Sequence, residues 1–230
     1  MEQTNFDRNA LLAQLEQGIA NMALSLPESA PEQLIDYLQL LHKWNKTYNL
    51  TAIREPKQMV IKHLLDSLSV VPHIDGHQVL DVGTGGGLPG MALAICYPEK
   101  HFLLLDCNGK KVRFLIQAIG ALKLKNVTAL QSRVELLDRE EGFAPKWSGS
   151  AAAGFDNIVS RAFASLQDMI DGCHKLIAKD GVYLAMKGQY PEEELSQLPA
   201  DCKLVSSSEL NVPELGEARH ILRISQQHSG

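Results

Sequence analysis

Apolar residues recur at helical spacing through the first third of the chain and in short dense runs after it, so the sequence divides in two. Leu11, Leu12, Leu15, Ile19 and Met22 form one helical stripe, Leu34, Leu38 and Leu41 a second after Pro31, and Met59, Val60, His63, Leu64 and Leu68 a third after Pro56. Residues 1–72 are therefore expected to be helical. They hold too little apolar mass to stand alone and are expected to cap the main domain, residues 73–230, as one structural unit. From residue 77 short apolar strands alternate with helices. Strands are predicted at Gln78–Val82, His101–Asp106, Val127–Gln131, Asn157–Ser160 and Val182–Lys187, with two more near Lys203–Ser207 and His220–Ile224. Helices are predicted near Leu88–Tyr97, Lys110–Leu122, Val134–Leu137, Leu166–Ile177 and Pro191–Leu195. This order predicts an α/β fold with a seven-stranded, mostly parallel sheet covered on both faces, its last strand antiparallel because a loop joins the closing pair. Residues 139–154 have no periodicity and read as a mobile surface loop.

The first predicted strand runs into a glycine-crowded turn, Asp81-Val82-Gly83-Thr84-Gly85-Gly86-Gly87-Leu88-Pro89-Gly90. Glycines there permit positive φ and let a ligand approach the main chain with no Cβ in the way. Gly83, Gly85 and Gly87 spell G-x-G-x-G, while Gly85, Gly87 and Gly90 also spell the dinucleotide pattern G-x-G-x-x-G. Asp81 favours the first reading. The run D-x-G-x-G-x-G resembles the opening motif of S-adenosylmethionine-dependent methyltransferases, whereas an acid there would repel the pyrophosphate of a dinucleotide.

Composition narrows the class. The chain has 230 residues, 45% hydrophobic and 21% charged, which suits one α/β domain with a modest addition. The segment MEQTNFDRNALLAQLEQ lacks the basic and apolar regions of a signal peptide, and no apolar run is long enough to span a bilayer, so a cytoplasmic protein without membrane contact is expected. Cys96, Cys107, Cys173 and Cys202 have no zinc spacing, so scattered reduced thiols and no metal are expected. The net charge of −5 argues against a general polyanion binder, but charge is unevenly placed. Residues 109–133 carry Lys110, Lys111, Arg113, Lys123, Lys125 and Arg133 with no acid, and Lys43, Lys46, Arg54, Lys57 and Lys62 form a second run interrupted by Glu55. Each run is either a solvated helix face or a phosphate-binding surface.

Several side chains fall at the carboxyl ends of predicted strands, where open α/β sheets bind ligands. Asp106 lies 23 positions beyond Gly83, placed to accept both hydroxyls of an adenosine ribose or to open the following helix. Ser132-Arg133-Val134-Glu135 follows the third strand, where such folds bring a loop to the adenine. Arg161 ends the fourth strand and Lys187 the fifth; either cation could meet a phosphate or a base edge, or pair with a nearby acid. His63 and Asp66 share a helix face at i, i+3, a pair that is more often structural than catalytic, although it could line the cleft. Asn49-Leu50-Thr51 reads as a helix-ending turn from which Asn49 could also reach substrate.

Leu41-His42-Lys43-Trp44-Asn45-Lys46-Thr47-Tyr48-Asn49-Leu50-Thr51, His63-Leu64-Leu65-Asp66-Ser67, Asp81–Gly90, Ser132–Glu135, Ser160–Ser165 and Arg219-His220 occur in order. Together they resemble the glucose-inhibited division protein B family, bacterial 16S ribosomal RNA guanine-N7 methyltransferases, over nearly all of residues 30–225. The resemblance implies a Rossmann-like class I methyltransferase fold and S-adenosylmethionine as cofactor. Cofactor contacts are implied for Gly83, Leu88, Val134, Glu135 and Arg161, with Gly85 in the same turn and Asp106 added on the ribose argument; Arg161 and Lys187 then stand between cofactor and RNA. The implied partner is 16S ribosomal RNA, free or in the small subunit or its precursor, bound by a monomer. The long 139–154 segment departs from the family pattern, as does Gly86, where many members carry proline; that glycine is expected to loosen the turn.

Guanine N7 offers a lone pair and no proton, so in-line attack on a sulfonium methyl needs no general base. The chain correspondingly lacks an Asn-Pro-Pro-aromatic segment for an exocyclic amine and a cysteine motif for attack at a pyrimidine carbon. A small-molecule or protein methyltransferase, a noncatalytic RNA-binding module and a dehydrogenase are the rival readings.

Overall fold

The computed structural model describes residues 6–137, 154–161, 163 and 165–227. Most of the predicted 139–154 loop lies outside the described residues. Seven strands form one sheet: β1 (Gln78–Val82), β2 (His101–Asp106), β3 (Val127–Gln131), β4 (Phe155–Ser160), β5 (Ile177–Lys187), β6 (Cys202–Glu209) and β7 (His220–Gln226). Their order is β3-β2-β1-β4-β5-β7-β6; the first five are mutually parallel, and β7 runs antiparallel to both of its neighbours. The chain order reverses between β1 and β4, which opens the crevice at their carboxyl ends where such sheets take ligands.

Side chains along the central strands alternate between two cores, as the period of a strand requires. Val79, Phe102, Leu104, Val159 and Leu184 enter one core together with helices α1 (Arg8–Asn21), α2 (Ala30–Tyr48), α5 (Gly90–Cys96) and α6 (Gly109–Leu122). Leu80, Leu103, Leu105, Ile158 and Ala185 enter the other, against α7 (Leu166–Cys173). The amino-terminal helices do not form a separate core: Leu11, Leu15, Leu34, Leu38 and Leu41 are buried in the same cluster as the strand residues.

The third amino-terminal stripe folds as α3 (Pro56–Met59), a π-helical turn (Val60–Leu65) and α4 (Asp66–Leu68). Glu55 caps its start by accepting from the amides of Lys57 and Gln58, and Pro56 follows at a position where its missing N–H costs nothing. Asn49 ends α2 in the left-handed conformation and accepts from Arg54, which confirms the helix-ending turn.

Several predicted boundaries change. The helix expected over Leu166–Ile177 stops at Cys173, because Ile177 is drawn into the sheet opposite Phe155. The register then jumps to Asn157 opposite Val182, so the polar Lys179-Asp180-Gly181 stretch is an irregularity inside β5 and not the turn before it. The helix expected over Val134–Leu137 is a single 3₁₀ turn, Val134–Leu136, and the one expected from Leu88 begins at Gly90 because the glycine turn extends to Pro89. The helix expected over Pro191–Leu195 is α8 (Glu192–Ser196), after β5.

Because the helices and the sheet share one core, residues 73–230 expressed alone are expected to expose an apolar sheet face and lose a cooperative thermal transition by circular dichroism. A sharp transition in that fragment would make the sheet an independent unit.

Candidate active site

The glycine turn is held from three sides. From below, Asp81 has no exposed surface, and its Oδ2 accepts from the Thr84 hydroxyl at 2.6 Å and the Gly90 amide at 2.8 Å. From the side, the amides of Gly83 and Thr84 donate to the Leu105 carbonyl at 2.9 and 3.0 Å, and the Gly85 amide donates to Asp106 at 2.9 Å. From above, the Tyr37 hydroxyl on α2 donates to the Gly86 carbonyl. Tyr37 thus ties the main chain at Gly86, the position where the family pattern often has proline. Gly83, Gly85 and Gly87 all have positive φ. A Cβ on Gly90 would stand 2.2 Å from Leu104 and 2.6 Å from Asp81, so the start of α5 must be glycine for the carboxylate to fit beneath it.

Burial pushes the Asp81 carboxyl up to about 6, against the opposing pull of its Thr84 and Gly90 hydrogen bonds. The acid that tips the sequence reading toward a methyltransferase is thus a buried brace of the turn.

Outside the turn, a cavity of about 380 Å³ is lined by Gly83, Asp106, Lys111, Val134 and Glu135 among others. Asp106 accepts from Gly85 and Asn108 and stands 3.7 Å from the Lys111 ammonium, yet both carboxylate oxygens retain lone-pair capacity toward the cavity it lines. The helix-opening role falls to Asn108, whose side chain accepts from Lys110. The cavity combines acceptors for vicinal hydroxyls, an apolar wall at Val134 and main chain open to close approach, which fits a nucleoside-bearing cofactor. Gly85 and Leu88 line a smaller adjoining space of about 170 Å³ with Gly83, Thr51, His63 and Arg161.

A third cavity of about 390 Å³ lies on the far side of Arg161 and is markedly polar: Lys62, His63, Asp66, Arg161, Lys187, Glu217 and Arg219 line it. Arg161 and His63 border both of the last two spaces, so they stand at the junction. Three adjacent strands each deliver one cation to this edge: Arg161 just after β4, Lys187 ending β5 and Arg219 just before β7. Each is paired. Arg161 donates to Asp66 at 2.9 Å and to the Lys62 carbonyl at 3.2 Å; Arg219 donates to the other Asp66 oxygen at 3.0 Å and to Glu217 at 3.0 Å. Lys187 reaches both oxygens of Glu194, at 3.0 and 2.8 Å, and Glu194 also accepts from the first amide of α7. Lys62 completes the ring by donating to Glu217 at 2.7 Å, and hydrogen bonds from Lys62 and Arg219 hold the Glu217 carboxyl below its ordinary range.

His63 is buried, with Nε2 3.0 Å from the Thr51 hydroxyl. Desolvation, helped by the Arg161 charge, lowers it to about 4, so it is neutral at pH 7. It therefore adds no positive charge at the junction. His63 and Asp66, which spacing alone assigns to structure, are walls of this cavity; Arg219, Lys62, Glu217 and Tyr37 receive no role from the sequence beyond the motif and charge runs that contain some of them.

The 109–133 basic run does not form one surface. Lys110, Lys111 and Arg113 lie at the amino end of α6 beside the Asp106 cavity. Lys123 and Lys125 lie past its carboxyl end, about 20 Å away by helix rise, against a cavity with Pro27 and His101 at the opposite edge of the sheet.

Residues 30–222 match the family described as GidB, rRNA small subunit methyltransferase G. The chain belongs to that family. A ribosomal RNA small subunit methyltransferase G from Aeromonas salmonicida is 48% identical over 212 residues, 92% of this chain and 96% of that protein. Its namesake from Alteromonas mediterranea is 46% identical over 213 residues, 93% of this chain and 95% of that protein. Among solved structures, TrmN from Thermus thermophilus superposes with a TM-score of 0.51 at 17% identity, covering 70% of this chain and 47% of its own, a likeness of fold alone. Membership in the methyltransferase G family agrees with the motif order read from the sequence, and the Rossmann-like sheet agrees with the fold expected of it.

Asp81 generates a pH test. Its carboxyl lies above the model-compound value of 3.8 in the folded state, so the folded chain holds the proton more tightly and stability falls as pH rises from about 4 to about 6. Asp81→Asn keeps an acceptor for Thr84 and Gly90 without that ionisation. The melting-temperature advantage of the parent chain over Asp81→Asn is expected to shrink between pH 4 and pH 6; a constant difference would show that Asp81 is not desolvated.

Proposed function

We propose that this chain transfers a methyl group from S-adenosylmethionine to N7 of a guanine in small-subunit ribosomal RNA, acting in the cytoplasm as a monomer on free RNA, the subunit or its precursor. The observation that carries this reading is a row of three spaces: one with carboxylates, a small one along the glycine backbone that shares Gly83 with it, and a third, lined by cations and the acids that pair them, that shares Arg161 with the small one. Similarity to proteins named as rRNA methyltransferases supplies the substrate class.

Gly83, Gly85 and Leu88 would hold the amino-acid end of the cofactor, Asp106 its ribose hydroxyls, and Val134 and Glu135 its adenine. Bound there, the cofactor supplies an electrophilic methyl on a sulfonium. The remaining chemistry belongs to the chain. N7 has a lone pair and no proton to lose, so no base is needed. Arg161 and Lys187 donate to the guanine O6 or to an adjacent phosphate, which holds N7 in line with the bond that breaks; orientation of this kind is the main source of rate. N7 faces the deep groove of A-form RNA, so the target guanine is expected in a loop or opened on binding.

Purified protein with labelled S-adenosylmethionine and unmodified small-subunit RNA, free and in particles, should yield one guanine N7 methyl by mass spectrometric mapping. Methyl transfer to some other acceptor, with none to RNA, would overturn the reading. Arg161→Ala is expected to lower kcat/KM by roughly 10²–10³, the loss seen when one preorganised donor is removed, and Lys187→Ala to lower it less because Glu194 already engages its ammonium. Unchanged values for both would remove them from the site. Neutralising Lys110 and Arg113 should flatten the salt dependence of RNA binding, while neutralising Lys123 and Lys125, at the far edge, should leave the slope in place.

A further inference from the structure

Asp66 is a carboxylate with 1% of its surface exposed, and its two oxygens are divided between two arginines that line the cation-ringed cavity from different strands. Arg161 and Arg219 stand on opposite sides of β5, whose end carries Lys187, and their side chains remain 30% and 20% exposed. We propose that Asp66 is the positioning residue of this methyl transfer: it fixes both guanidinium groups at one spacing, so that their outward N–H donors meet a single nucleotide of the RNA. This rests on the RNA-directed reading given above.

Two features separate this arrangement from an ordinary stabilising ion pair. A buried carboxylate needs only one well-made partner to be compensated, and a second arginine drawn to it brings two like charges together. Glu217 offsets the Arg219 charge, and both arginines still line the cavity with part of each side chain exposed, where an anionic or electron-rich group of the RNA would meet the two together. The anchors also come from one helical turn: the Arg161 nitrogen that meets Asp66 also meets the Lys62 carbonyl, four residues earlier. Both contacts are made by one terminal nitrogen, which fixes that end of the planar guanidinium, while Arg219 is tied at all three nitrogens, to Asp66, Ala218 and Glu217.

Positioning predicts a particular split of the kinetic constants. Asp66→Asn removes a negative charge from a site that meets RNA, so attraction for the substrate is retained while the arginine spacing is released. The expected result is a loss in kcat of about 10², the scale of a misplacement near 1 Å, with KM for RNA no higher than the parent's and cofactor affinity unchanged. Asp66→Glu keeps the charge and the fold but displaces both guanidinium groups by about one C–C bond; it too should lose kcat, which a role in charge balance alone would not predict. Both variants are assayed beside the parent on small-subunit RNA, with cofactor binding followed calorimetrically and melting temperature recorded. Parental kcat in Asp66→Glu, or a loss confined to KM or melting temperature in either folded variant, would overturn the proposal. If the parent chain itself leaves RNA unmethylated, the RNA-directed reading falls and Asp66's role falls with it.

Discussion

One carboxylate oxygen decides where the chain can bind anything. Asp81 Oδ2 sits beneath the glycine turn with the Thr84 hydroxyl on one side and the Gly90 amide on the other, closing a loop between the end of β1 and the start of α5. Without that brace, a turn crowded with glycines would sample many conformations and lose more entropy on folding than other residues would. The bond to Gly90 is possible only because no Cβ stands at that position. The turn then presents its outer backbone to the cavity while its inner polar groups are satisfied. The other Asp81 oxygen has no hydrogen-bond partner among the described residues, so the brace holds the turn at a desolvation cost.

The two halves of the cleft follow from where strands end. On the β1–β2–β3 side the strand ends carry carboxylates, Asp106 directly and Glu135 in the 3₁₀ turn after β3, with Lys111 and Arg133 lining the same cavity. On the β4–β5–β7 side they carry cations, and the acids that balance them come from other elements: Asp66 from the helical cap, Glu194 from α8 and Glu217 from the segment before β7. The carboxylates on the first side suit the hydroxyls of the proposed cofactor, and the cations on the second suit the proposed polynucleotide. Arg161 lies at the boundary, and pairing with Asp66 offsets its charge where a cationic sulfur would approach.

Strands β1 and β2 are legible in the sequence to the residue, because central parallel strands buried on both faces are short apolar runs with sharp polar ends, and the half-buried edge strand β3 is legible as a short β-prone run between polar residues. β5 was not, since Lys179-Asp180-Gly181 has the composition of a turn, and only pairing of Ile177 with Phe155 shows that the strand begins before it. The glycine turn and Asp106 could be read because their chemistry is local. Asp66 could not: its partners lie 95 and 153 residues away, and i, i+3 spacing with His63 says nothing of either. Lys187 could be placed at the rim, but its pairing with Glu194 depends on a short helix folding back over the strand end. The basic run of 109–133 misleads for the opposite reason, because proximity in sequence along a helix separates its two ends in space.

The π-helical turn links cap to cleft by a hydrogen-bond argument that no side-chain pattern encodes. In an α-helix the amide of residue 66 would donate to the carbonyl of residue 62. Here the Asp66 amide donates to Ile61 and His63 instead, and Arg161 donates to the Lys62 carbonyl that it bypasses. The same displacement sets Asp66 within reach of both arginines. Such turns recur at functional sites because one extra residue per turn re-aims a carbonyl and the side chains after it. The hydrophobic stripe Met59, Val60, Leu64 and Leu68 still packs on the core, so the burial that stabilises the helix tolerates the widened turn. The irregularity therefore belongs to the cleft: straightening the helix would return the Lys62 carbonyl to the backbone ladder and take from Arg161 one of the two contacts that orient it.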